Sequence, residues 1–115
     1  MDKLTLRAEF ESVMAAGIVA RTPHFALHQQ NSTTANRWGA VVPKRWARRA
    51  VTRNLIKRQI YALGREQLTL LPNADRVIRL RKSFDLQNFV SASSDHLRTA
   101  VRTELHQLLK HGVTS

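Results

Sequence analysis

The stretch Ala50-Val51-Thr52-Arg53-Asn54-Leu55-Ile56-Lys57-Arg58-Gln59-Ile60-Tyr61-Ala62-Leu63 decides how this chain folds. An α-helix turns by ~100° per residue. With Val51 at the origin, Leu55, Thr52, Leu63, Ile56 and Ile60 lie at roughly 40° to 180°, and Arg53, Lys57, Tyr61, Asn54, Arg65 and Arg58 at roughly 200° to 340°. One segment therefore carries a coherent apolar face and a coherent basic face. Like charges at i, i+4, such as Arg53 and Lys57, weaken the isolated helix by about 0.2–0.5 kcal/mol per pair. Burial of Val51, Leu55, Ile56, Ile60 and Leu63 contributes ~1.5–3 kcal/mol each and outweighs that repulsion. A helix is predicted from Arg49 or Ala50 to Leu63, with Gly64 ending or breaking it.

Upstream, Leu6, Phe10, Val13, Met14 and Gly17 fall on one face of a first helix, with Gly17 as a left-handed cap. Phe25 to His28 reads as a strand, residues 31–36 as a polar loop, and Arg37 to Val42 as a second strand closed by Pro43. Downstream, Leu71-Pro72-Asn73 is a turn. Arg76-Val77-Ile78-Arg79-Leu80 alternates polar and apolar, which predicts a strand with one buried face. A short helix is expected around Leu86 to Val90. Ser93 or Ser94 caps a last helix whose stripe is Leu97, Val101, Leu105 and Leu108. The order αβββαβα predicts an α/β sandwich of the α+β class, with helices packed on a small sheet. The length of 115 residues suits one domain and leaves no room for two cores.

Charge indicates the partner. Lys and Arg number 19 against 8 Asp and Glu, a net charge of +11. From Ser12 through Arg65 there is no acid but there are ten bases, eight of them between Arg37 and Arg58. A solvated surface intersperses signs. An unrelieved cluster expects its anions from a ligand, and a polyanion is the natural one. Lys44, Arg45, Arg48 and Arg49 precede the middle helix at the positive end of its dipole, a setting for phosphate. Arginine forks grip phosphate oxygens bidentately, and lysine acts as a point charge. Asn54, amid the cations, suits a 2′-hydroxyl, a base edge or a hydrated metal ion, or is a plain surface amide.

Other classes fit less well. The absence of cysteine removes thiol catalysis, disulfides and Cys-based zinc sites. His24 and His28 are four apart on a strand, and His106 and His111 five apart near the tail, neither pair with a carboxylate at ligand spacing. No phosphate loop or nucleophile motif is present, so neither catalytic nor metal residues are assigned. No run approaches the ~20 apolar residues that span a bilayer. The amphipathic middle helix needs its apolar face for the core, which disfavours a membrane-surface role. The start of the chain does not read as a secretory signal, so the cytoplasm is expected.

The run Lys44-Arg45-x-Ala47-Arg48-Arg49-Ala50-Val51-x-Arg53-Asn54-x-Ile56-Lys57-Arg58 resembles the signature of the bacterial ribonuclease P protein family, in which Arg-Asn-Arg and then Lys-Arg follow a basic pair. Residues 7–13, Gly39 to Val42 and Asp75 to Lys82 are similar to that family's first helix, the strand before its basic pair and a later strand ending in Arg-Lys. Leu55 stands where the family has the second Arg of Arg-Asn-Arg. Tyr61 and Ala62 replace a frequent Arg-Glu pair, and Gly64 a larger apolar residue, which would shorten the helix.

The resemblance implies a protein that binds a catalytic RNA and the 5′ leader of precursor tRNA. Its holoenzyme removes the leader with magnesium ions held mainly through the RNA. It implies a left-handed strand–helix–strand crossover. It places Lys44, Arg45, Arg48, Arg49, Arg53, Asn54, Lys57 and Arg58 on the RNA, with Tyr61 and Arg65 beside them on the basic face. It places Phe10, Met14 and His28 along a cleft for the single-stranded leader, where aromatic side chains stack on bases. No membrane or protein partner is implied. A general RNA-binding or ribosomal protein is the alternative.

Overall fold

The computed structural model describes residues 2–67, 70–84 and 95–114. The elements are β1 (Asp2–Lys3), α1 (Arg7–Ala15), β2 (Ile18–Arg21), β3 (Phe25–Asn31), β4 (Arg37–Val41), α2 (Ala50–Glu66), β5 (Ala74–Leu80) and α3 (Asp95–Thr114). From α1 onward this is the αβββαβα order of the sequence reading. β1 is an addition and β2 was not assigned. The sheet runs β1-β4-β5-β3-β2, with β4 parallel to β1 and β5, and β3 antiparallel to β5 and β2.

The sheet is covered on both faces. On one side Trp38, Phe25, Leu27, Ile78 and Leu80 meet Ile56, Ile60 and Leu63 of α2 and Leu97, Val101, Leu105 and Leu108 of α3 in the main core. All four predicted α3 stripe residues are fully buried. On the other side α1 lays Val13 over Val77 and Leu4, with Phe10, Met14 and Val41 around them. Gly17 does adopt the left-handed conformation, φ 108°, and lets the chain turn from α1 into β2.

Several expectations need correction. Gly64 does not end α2. The helix continues to Glu66, with Gly64 buried inside it. Glycine in a helix costs about 1 kcal/mol, which the packing of Ile60 and Leu63 exceeds. Val51 is 51% exposed, because the buried stripe centres on Ile56, Ile60 and Leu63 and leaves Val51 at its rim. Leu6 is also exposed, since it precedes the first turn of α1.

β5 is not a strand with one wet face, because it is central and covered by helices on both sides. Arg76 is 3% exposed there. Its guanidinium donates to Gln29 Oε1, Asn36 Oδ1 and the Pro72 carbonyl, and lies against the Trp38 ring. The helix expected around Leu86 to Val90 and the Ser93 or Ser94 cap lie outside the described residues.

Candidate nucleic-acid interface

α2 positions the basic face. Its apolar stripe is fixed in the core, so Asn54, Lys57, Arg58 and Arg65 must emerge on the other side, and all four are exposed. Leu55 is 6% exposed, so the departure from the family's arginine extends the packed stripe. The face is wider than the helix. A groove of about 300 Å³ is lined by Asn54, Lys57, Arg58, Tyr61, Arg65 and Lys3 of β1. Lys3 Nζ sits 4.4 Å above the Tyr61 ring, a cation–π contact. The Tyr61 hydroxyl accepts the Ala40 N–H at 3.2 Å and anchors the half-buried ring to β4. A smaller groove continues over Asn54, Leu55 and Arg58 to Arg98 of α3.

The basic loop before α2 is built by one of its own cations. Arg53 is half-buried, and its Nη1 donates to the carbonyls of Ala47 at 3.0 Å and Arg48 at 2.8 Å. Its first role is therefore to hold the loop onto the first turn of α2. Lys44, Arg45, Arg48 and Arg49 are exposed around it. Arg45 also lies over the half-buried Trp46 ring. A cavity of about 400 Å³ opens between this loop, Thr52 and Ile56 of α2, and Phe84.

The electrostatics leave these cations unrelieved. The first turn of α2 contains no acid. Glu66 at its far end is drawn aside by Arg102 of α3, at 2.6 Å. Glu9 and Asp75 are held by Arg37, Glu11 by Arg7, Asp95 by Arg98 and Glu104 by the His24 ring. Among the described residues no acid pairs with Lys44, Arg45, Arg48, Arg49, Lys57, Arg58 or Arg65, so an outside anion meets the α2 face uncompensated.

On the opposite face of the sheet, α1 and the strands form a second feature. Phe10 and Met14 are half-buried along α1, beside Val41. His28 is placed otherwise than the family pattern implies. It is 5% exposed, beneath the end of α1, with no free ring face for stacking. Its Nδ1 lies 3.2 Å from the Met14 carbonyl, which can only accept. Its Nε2 receives the Arg79 Nε–H at 3.3 Å. The ring is therefore neutral with its proton on Nδ1. Burial, then the Arg79 charge, pushes its pKa below the ordinary value.

Lys3, Arg98 and Arg79 are residues of these surfaces that sequence reasoning missed. Their neighbours come from strand pairing and helix packing, for which local spacing carries no signal. Among the described residues, no three His, Asp or Glu gather so as to hold a metal ion. No described helix is long and apolar enough to cross a membrane.

A family model described as Ribonuclease P matches residues 1–111. The Ribonuclease P protein component of Ralstonia pickettii (strain 12J) is 39% identical over 109 residues, covering 94% of this chain and 76% of that protein. The Ribonuclease P protein component of Paraburkholderia xenovorans (strain LB400) is 36% identical over 101 residues, covering 88% and 73%. Among solved structures, the RNase P protein of Staphylococcus aureus superposes with a TM-score of 0.75 at 20% identity, covering 96% of this chain and 94% of that one. The RNase P protein from Thermotoga maritima gives 0.69 at 23% identity, covering 96% and 97%. The two superpositions establish a shared fold.

Proposed function

This chain belongs to the ribonuclease P protein family, and we propose on that premise that it is the single-domain RNA-binding subunit of a ribonucleoprotein that matures tRNA 5′ ends. The observation that carries the mechanism is the division of α2 into a buried stripe and an uncompensated basic face. That face, with Lys44, Arg45, Arg48 and Arg49 before it, grips the phosphates of the catalytic RNA. Arg58 and Lys57 make direct contacts, Arg53 holds the loop in register, and Asn54 reads a 2′-hydroxyl or base edge. The surface beside α1 on this face of the sheet, with Phe10 and Met14 at its edge, takes the single-stranded leader of precursor tRNA.

The chemistry is assigned to the RNA. Magnesium prefers carboxylate and phosphate oxygens, and the basic face offers no carboxylate to hold it. The residues present therefore do not fit a protein-bound magnesium site, and the ion belongs with the RNA. The chain contributes charge neutralisation and positioning, in the cytoplasm.

The test is reconstitution. The purified chain is mixed with a bacterial ribonuclease P RNA at low magnesium, and 5′ cleavage of precursor tRNA is followed. Little cleavage by either component alone, and restored cleavage on mixing, is expected. No stimulation by the chain across salt and magnesium, with a cognate RNA, would leave a general RNA-binding or ribosomal role.

A further inference from the structure

Cross-strand partners share a face of a sheet, so the register defines a row along the α1 side. Arg21 of β2 pairs with Ala26 of β3, Ala26 with Arg79 of β5, and Arg79 with Val41 of β4. The next row, His28, Val77 and Gly39, lies under α1. There Met14 meets His28, Val13 packs on Val77, and Phe10 covers Gly39. The row Arg21–Ala26–Arg79–Val41 thus borders α1 on the side where β4 ends and the basic loop begins at Pro43. The backbones of its two arginines stand about 10 Å apart, two strand spacings.

We infer that Arg79 binds a phosphate of the single-stranded RNA that runs beside α1, with Arg21 as the outer cation of the same row. The inference rests on the assignment of this surface to the leader. Arg79 is half-exposed and Arg21 exposed, and among the described residues neither is in an ion pair. His28 gives Arg79 its direction. The Nε–H is spent on His28 Nε2, and among the described residues no hydrogen bond takes either Nη group, so the outer edge of the guanidinium remains for a ligand. That edge matches two oxygens of a phosphate. His28, tied in turn to the Met14 carbonyl, couples the fork to α1. His28 thus acts by holding a cation rather than by stacking on a base.

The experiment uses the reconstituted holoenzyme, with affinities for leader-bearing precursor tRNA and for mature tRNA measured across salt. Arg79→Ala is expected to weaken precursor binding by about tenfold and to reduce its salt slope by about 0.7, the value for one single-strand phosphate contact. Mature tRNA binding is expected to stay unchanged. Arg79→Lys keeps the charge but loses the Nε–H that holds His28. It is expected to retain the salt slope and most of the affinity. Equal losses in the Ala and Lys variants would overturn the inference and leave Arg79 as a support for His28. Equal loss for mature tRNA, or no loss at all, would overturn it as well. Failure of the wild-type chain to stimulate cleavage overturns the proposed function itself, and is seen before any variant is compared.

Discussion

The Phe10 ring occupies the space that a side chain at residue 39 would need. A Cβ built on Gly39 would meet Phe10 Cε1, lie 2.8 Å from Phe10 Cζ and 3.2 Å from Leu4 Cδ1. The glycine thus lets α1 sit down on β4. Gly39→Ala is expected to push Phe10 outward and to cost about 1–3 kcal/mol, the range for overpacking a filled site. Urea unfolding measures that cost. Because Phe10 also borders the surface assigned to the leader, affinity for leader-bearing precursor should fall more than affinity for mature tRNA. An unchanged urea midpoint would mean that α1 does not rest on β4 as described.

The cations of α2 should separate into two kinds. Lys57 and Arg58 are exposed, while Arg53 is half-buried with its Nη1 on two loop carbonyls. Lys57→Ala and Arg58→Ala should each reduce the salt slope of RNA binding by about 0.7–0.9 and leave stability within about 0.5 kcal/mol of wild type. Arg53→Ala strands the Ala47 and Arg48 carbonyls. It should cost about 1–3 kcal/mol of stability as well as affinity. Equal thermal midpoints for all three variants would contradict the assigned role of Arg53.

What could be read in the sequence follows from range. The 3.6-residue period of α2 and the stripe Leu97, Val101, Leu105 and Leu108 are local patterns, and both hold in the core. The cluster of cations was equally local, and so the basic face was visible before any coordinates. The failures involve partners far apart in the chain. Asp2–Lys3 becomes a strand only because β4 offers it an edge 35 residues downstream, where Asp2 pairs with Arg37 and Lys3 with Trp38. Arg76 looked solvent-facing in an alternating strand. It is buried because Gln29, Asn36 and Pro72 supply acceptors that no spacing rule links to it. His28 fitted an aromatic pattern, yet Met14 and Arg79 take both of its ring nitrogens.

Glu104 ties the last helix to the β2–β3 turn. Its Oε2 accepts the Thr22 hydroxyl at 2.6 Å and the His24 N–H at 2.7 Å, and its Oε1 meets His24 Nδ1 at 2.7 Å. Phe84 stacks on the same His24 ring, 4.0 Å between centroids. Glu104→Ala removes all three bonds and leaves partly buried donors unmet, at a cost of about 2–3 kcal/mol. Glu104 itself lines none of the grooves of the basic face, so the salt slope of RNA binding should stay at the wild-type value in the folded variant. A lowered slope would mean that α3 docking and the RNA surface are coupled.

Glu9 makes the docking of α1 sensitive to acid. Its carboxylate accepts the Leu6 N–H at 3.0 Å and the Thr5 N–H at 3.3 Å, and pairs with Arg37. Arg37 in turn grips Asp75 of β5 through two bonds, of 2.9 and 2.8 Å. The Leu6 and Thr5 amides, then Arg37, hold the Glu9 carboxyl below its ordinary value of 4.5. A lowered folded pKa means that the unfolded chain binds the proton first as pH falls. The stabilisation is therefore complete above the ordinary value and is lost as pH drops through the folded one. Glu9→Gln lacks the charge at every pH. The gap in urea midpoint between wild type and Glu9→Gln should be widest near neutrality and close as pH falls below about 4.5. A gap that stays constant down to strongly acidic pH would show that the ionised carboxylate adds nothing, and that α1 is held by Phe10 and Val13 alone.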